Sequence, residues 1–276
     1  MPGFRAFDRT ELSYDVVGHG NPVVCLPGGP MQASAYLGDL GGLSRRVRLV
    51  RFDLRGTGRS QAPEDATSYR CERLADDVEA LRVHLGLDRI DVLAHSAGAN
   101  LAELYAIRYP GRVRKLVLVA PSTLGAGIFP DGDARRAIIR RRAGEPWHRQ
   151  VSDAFETVIA GNATDSDWEA LAPFTYGRWD EAARRHHASQ RRNDEAAAVY
   201  TASYSPATTR AALPSVAVPV LVLAGELDLS GPPCALAELA GLFPAARIVT
   251  QAGGGHFPWL DSPAEFTETV ANFLAA

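Results

Sequence analysis

Val92-Leu93-Ala94-His95-Ser96-Ala97-Gly98 decides how the chain folds. An apolar run stops abruptly at a serine set among small residues, and the chain beyond it, Ala99 to Tyr109, has helical character until Pro110-Gly111 ends it. The stretch reads as a strand, a sharp turn and a helix. Such a turn lifts one hydroxyl above the end of a sheet, and its neighbours must be small because backbones approach closely there. The first small position is Ala94, not glycine.

Working outward, Ile90 to His95 has counterparts at Pro22 to Leu26, Val47 to Phe52, Lys115 to Ala120 and Pro219 to Ala224. Short continuous apolar runs of this kind predict strands covered on both faces. Between them, Cys71 to Leu85 sets Leu74, Val78, Leu81 and Leu85 on one helical face. Ser34 to Leu43 is expected to supply a further helix. Alternation of strand and helix implies parallel strands joined by right-handed crossovers. The alternating pattern from Phe4 to Gly18 predicts a strand or hairpin near the sheet edge, with His19 on the surface beyond it. After residue 213 come a strand at Ala246 to Thr250 and helices at Pro233 to Leu242 and Pro263 to Leu274.

The rhythm breaks between Ser122 and Leu213. Helix-like stretches there mix charged and aromatic residues, punctuated by Pro130, Pro146, Pro173 and Pro206. The chain is therefore expected to be α/β: residues 1–121 and 214–276 build a core around a mostly parallel, eight-stranded sheet, and residues 122–213 form a helical cap. The cap's 12 arginines face 12 acids, so charge balance selects no substrate sign. Trp147, Phe155, Trp168, Phe174, Tyr176, Trp179, Tyr200 and Tyr204 are expected chiefly in packing, with some lining a pocket. His148 and the pair His186-His187 are expected on a solvated face.

Composition excludes several functions. A net charge of −3 offers no basic excess to neutralise phosphates or hold an anionic membrane, so neither nucleic acid nor membrane is expected as a partner. The first ten residues lack an apolar segment, and nothing approaches the roughly 18 uninterrupted apolar residues of a spanning helix; a cytoplasmic protein is expected. Cys25, Cys71 and Cys234 are far apart and odd in number, which argues against a disulfide framework or a C-x-x-C metal site. Each is expected to be a small buried hydrophobe. Asp53-Leu54-Arg55-Gly56-Thr57-Gly58-Arg59-Ser60 matches neither phosphate-loop spacing and reads as a turn held by local Asp and Arg hydrogen bonds. No cofactor or metal is therefore expected; the partner is a small-molecule substrate under the cap.

Three residues lie just past strand ends, where open parallel sheets place their sites: Ser96, Asp228 and His256. A serine hydroxyl is a weak nucleophile at neutral pH. It needs an imidazole to take its proton, and the imidazole needs a carboxylate to fix its tautomer. The carbonyl under attack gains negative charge, which two backbone amides must already face. Ala97 can give one and Gly29, in Pro27-Gly28-Gly29-Pro30, the other, with Gly28 as the alternative. Glu226 and His95 are the competing acid and base.

In order and context these residues resemble the α/β-hydrolase superfamily, whose members place Ser, acid and His in this sequence. Pro27-Gly28-Gly29-Pro30 and Asp53 to Ser60 resemble the prolyl iminopeptidase group in particular, as do Gly225-Glu226-Leu227-Asp228 and Gly255-His256-Phe257-Pro258 the superfamily at large. That resemblance implies a possible aminopeptidase acting on small N-terminal residues. The chain differs from the group's pattern at Pro27, Met31 and Ala94, and no cap acid aligns with those that hold a substrate's amino terminus. The sequence thus predicts a serine hydrolase of an ester, thioester, lactone or small amide. Carbon–carbon bond cleavage, cyclisation or perhydrolysis on the same scaffold, or a receptor without turnover, are the alternatives.

Overall fold

The computed structural model describes residues 2–276. Eight strands form one sheet: β1 (Gly3–Arg5), β2 (Glu11–Val17), β3 (Pro22–Leu26), β4 (Arg48–Asp53), β5 (Ile90–His95), β6 (Val113–Val119), β7 (Val220–Gly225) and β8 (Ala246–Gln251). Their order is β1-β2-β4-β3-β5-β6-β7-β8. β1 and β2 are antiparallel to their neighbours, and β3 to β8 run parallel. This is the α/β architecture the apolar runs predict.

The alternation of side chains explains the layers. Val24, Leu26, Val92, Ala94, Leu116, Leu118, Val220 and Val222 point to one face, where they pack on α1 (Cys71–His84) and α2 (Gly98–Arg108). Val23, Cys25, Leu93, Val117, Val119, Leu221 and Leu223 point to the other face. These meet the last helix of the chain, which brings Phe266, Val270, Phe273 and Leu274. Both faces being covered, a continuous apolar run is required of each central strand. Every side chain of β5 and β7 is buried. β8, at the edge, exposes Arg247 and Ile248, so its run is shorter and less apolar.

Between β6 and β7 the chain leaves the sheet and makes α3 (Gly132–Arg141), α4 (His148–Ile159), α5 (Asp165–Ala170), α6 (Glu181–Ser189), α7 (Asp194–Ala202) and α8 (Pro206–Ala212). α9 (Pro233–Ala240), the one-turn α10 (Pro258–Asp261) and α11 (Pro263–Ala275) complete it. Arg142 pins this insertion internally: its guanidinium donates to the carbonyls of Pro173, Tyr176 and Gly177 and lies 4.5 Å from the Trp147 ring centroid.

Several local expectations are corrected. Ser34 to Leu43 is no α-helix but two short 3-10 turns, Ser34–Leu37 and Leu43–Arg45. Gly38, Leu40, Gly41 and Gly42 between them all have positive φ, incompatible with α-helical backbone near −63°. Arg55 is not a local turn brace: it is buried, forks onto Asp77 of α1 at 2.7 and 2.5 Å, and reaches Asp8 at 2.8 Å. A buried guanidinium needs carboxylates wherever the fold brings them. The Asp53 half of that expectation stands, since Asp53 accepts from Arg59 N and from Ser34. Cys25 and Cys71 are buried, but Cys234 is exposed, in the first turn of α9. His186 is half-buried, not on a solvated face: its Nε2 donates to the Tyr36 carbonyl and its Nδ1 meets the Tyr176 hydroxyl. His148 likewise donates through Nε2 to the Ile139 carbonyl.

Glu103 on α2 is fully buried, and neither carboxylate oxygen has a partner. Burial pushes its carboxyl up to about 8. An unfolded chain releases that proton near pH 4.3, so between these values the folded state holds one proton more. Stability from this group is complete below the unfolded value and is lost as pH rises through the folded one. Glu103→Leu should therefore gain on the parent as pH rises from about 5 to 8, by up to about 1.4 kcal/mol per pH unit. Urea unfolding at several pH values measures the difference, and parallel curves for the two proteins would contradict this account.

Candidate active site

The strand–turn–helix at 92–98 forms as read, and its turn is tightly held. Ser96 has φ 52°, a left-handed backbone that non-glycine residues seldom adopt. Its N–H donates to the Val119 carbonyl at the end of β6, while its own carbonyl accepts from Ala99 and Ser122. Gly98 opens α2 against the end of β3. A Cβ at that position would stand 2.5 Å from the Pro27 carbonyl oxygen and 2.7 Å from that of Leu26. That is the contact that demands a small residue, whereas the Ala94 methyl is fully accommodated.

The structure brings the three expected side chains together. The Ser96 hydroxyl lies 2.9 Å from His256 Nε2, and His256 Nδ1 lies 2.8 Å from Asp228 Oδ2. Asp228 is wholly buried at the end of β7, and its other oxygen accepts from Ser230 N at 2.8 Å. A carboxylate so placed accepts a hydrogen bond from Nδ1–H and keeps the proton on that nitrogen, leaving Nε2 as the acceptor that faces the hydroxyl. His256 follows β8, and its backbone N–H donates to the Thr175 carbonyl at 2.8 Å, so the insertion braces the imidazole from its own side.

The competing residues are otherwise engaged. Glu226 accepts from Arg141 at 2.7 Å and from Gly253 N at 2.8 Å, away from His256. His95 is buried behind the serine and donates through Nε2 to the His256 carbonyl at 2.8 Å. Its Nδ1 therefore accepts from the Tyr36 hydroxyl, 2.7 Å away, which in turn accepts from Gly28 N–H at 2.8 Å. Burial, with His256 beside it, holds the His95 imidazole well below its ordinary range, so it stays neutral and keeps this direction of donation. Gly28 is thus occupied. The N–H groups of Gly29 and Ala97 donate to no acceptor among the described residues, and both flank Ser96.

Tyr36, Thr175, Ser230 and Tyr200, whose hydroxyl donates to the Ala97 carbonyl at 2.8 Å, were not legible as site residues. No spacing rule links them to Ser96; only the adjacency of His95 to Ser96 hinted at a polar group behind the turn.

Two cavities meet at Ser96 and His256. One, about 340 Å³, is walled mainly by Phe155, Val158, Leu171, Phe174 and Leu229, with Trp168 at its rim. The other, about 240 Å³, presents Ser122, Thr123, Thr201, Tyr204 and Ser230. Gly29, Arg135 and Ser230 line both.

Residues 21–263 match the family model described as alpha/beta hydrolase fold, and the chain belongs to that family. A proline iminopeptidase from Heyndrickxia coagulans is 25% identical over 95% of this chain and 93% of its own length. A putative 2-succinyl-6-hydroxy-2,4-cyclohexadiene-1-carboxylate synthase from Bacillus subtilis (strain 168) is 28% identical, covering 92% of this chain and 90% of that protein. Among solved structures, an esterase from Exiguobacterium antarcticum shares the fold with a TM-score of 0.76 at 21% identity, over 99% of each chain. No helix among the described residues is long and apolar enough to cross a membrane.

Tyr36→Phe removes the acceptor of Gly28 N–H and the donor to His95 without altering any group at the serine. The loop carrying the Gly29 amide should lose its aim, lowering kcat on a p-nitrophenyl ester about tenfold, less than the 100- to 1000-fold of deleting a donor outright. KM should change less than kcat. An unaltered kcat would show that this chain of hydrogen bonds does not position the loop.

Proposed function

We propose that the protein is a serine hydrolase acting on an ester, thioester or lactone through an acyl-enzyme. The observation that carries this reading is the unbroken chain from the Ser96 hydroxyl through His256 to buried Asp228, set beside two amides with no acceptor among the described residues.

Ser96 Oγ attacks the substrate carbonyl as its proton passes to His256 Nε2. Asp228 remains ionised and stabilises the imidazolium that forms. The carbonyl oxygen, now negative, accepts from Gly29 and Ala97 N–H; fixed donors need no reorganisation as the charge develops. Collapse expels the leaving group, which takes the proton from His256, and the acyl group stays on Ser96. Water then gives its proton to His256, attacks the acyl carbonyl, and the same steps in reverse release the acid and the serine.

The cavity walls favour esters, thioesters and lactones over peptides with a free amino terminus. Neither cavity has an Asp or Glu in its lining. A substrate ammonium would there lose its hydration with no carboxylate to receive it, a penalty of several kcal/mol for a buried unpaired charge.

A fluorophosphonate should label Ser96, and Ser96→Ala should abolish both labelling and turnover. Asp228→Asn, which cannot hold the imidazole in the required tautomer, should cost on the order of 10⁴ in kcat. Turnover persisting in the Ser96→Ala protein would refute the reading.

A further inference from the structure

The insertion is charge-balanced overall, yet its balance is not local. Six of its twelve arginines pair with a carboxylate, among them Arg136 with Glu156, Arg141 with Glu226, Arg192 with Asp194 and Arg210 with Glu238; of the six that do not, five are exposed. Arg135, half-buried on α3, is different. Its Nε donates to the Leu229 carbonyl at 3.0 Å, and no carboxylate among the described residues lies within ion-pair distance. Among the described residues, its two terminal nitrogens have no acceptor. Burial pulls the guanidinium below its ordinary value, with the charge of Asp228 opposing the shift. Asp228 is not available, because its two oxygens are held by His256 and Ser230 N.

Arg135 is also the one side chain with a fixed charge in the lining of either cavity, and it stands where the two meet at Ser96 and His256. A half-buried guanidinium whose free donors line a cavity is matched there by water or by what displaces it, and one beside a nucleophile by what the nucleophile binds. The cavities differ in kind. The larger offers apolar walls for an acyl chain. The smaller has the Ser122, Thr201 and Ser230 hydroxyls in its lining together with Arg135, a set of donors suited to an oxyanion.

We infer that Arg135 selects substrates whose leaving group bears a carboxylate or phosphate, seated in the smaller cavity, while an apolar acyl chain fills the larger. This rests on the hydrolase reading above and narrows it to a substrate class. No residue of the insertion revealed it in sequence, since Arg135 lies in an arginine-rich stretch where only the fold separates paired from unpaired guanidinium groups.

The test compares four esters of hexanoic acid: those of glycolate and of 2-hydroxyethyl phosphate, each against its neutral counterpart, glycolamide and the phosphate dimethyl ester. The unmodified protein should turn over at least one anionic ester with a kcat/KM about tenfold or more above its neutral partner, the scale of one hydrogen bond to a charged group. Which anion is favoured tells carboxylate from phosphate. Arg135→Gln should bring that ratio to within about twofold of one, and Arg135→Lys, keeping charge but losing the fork, should retain part of it. Fluorophosphonate labelling of Ser96 shows whether each variant is folded. Hydrolysis of the neutral esters with no anionic preference in the unmodified protein, or a preference that survives Arg135→Gln, overturns the role of Arg135 alone. If no ester is hydrolysed and Ser96 is not labelled, the hydrolase reading falls with it.

Discussion

A serine held at φ 52° is a strained residue, costing on the order of 1–3 kcal/mol, and such a conformation persists only where its surroundings over-determine it. Here they do. The Ser96 N–H is fixed to the end of β6, its carbonyl receives Ala99 and Ser122, and α2 starts so close to β3 that Gly98 has no room for a side chain. The parallel register places Leu26 beside Ala94, His95 beside Val119 and Val119 beside Leu223, so the ends of β3, β5, β6 and β7 finish at one rim. The loop with the free Gly29 amide, the serine and the buried Asp228 are brought to that rim by the sheet itself.

Behind this rim runs a second, less visible link. Gly28 N–H, the Tyr36 hydroxyl, His95 and the His256 carbonyl form one directional chain of hydrogen bonds through a buried region. It joins the loop after β3 to the loop after β8, the two segments on either side of the reacting centre. Buried polar chains of this kind are strong when every member is satisfied and costly when one is missing. The Thr175 carbonyl, accepting from His256 N, and the Tyr200 hydroxyl, donating to Ala97, extend the support to the insertion. The helices between β6 and β7 thus shape the cavities and also hold the backbone that carries the chemistry.

What was legible in the sequence follows from range. The central strands were readable because burial on both faces leaves a continuous apolar run, and α1 because Leu74, Val78 and Leu81 mark one face. Ser96, Asp228 and His256 stood out because each interrupts or follows such a run with small residues or glycines. Arg55 reads as local in the sequence because the carboxylates it pairs with, Asp8 and Asp77, are remote along the chain. The inward turn of His186 was hidden by charged neighbours in α6, and the positive φ values from Gly38 to Gly42 broke a helix that composition alone favoured. Tyr36 and Arg135 carry no motif at all; their meaning arises only from what the fold leaves beside them.

In the proposed mechanism Ser96 becomes covalently acylated while His256 and Asp228 manage its proton. Mixing the protein with excess p-nitrophenyl ester, quenching in acid within the first turnovers and measuring intact and peptide masses tests it directly. A mass gain equal to the acyl group is expected, confined to the peptide containing Ser96 and chased away as hydrolysis proceeds. Turnover with no such adduct, or an adduct on another residue, would contradict it.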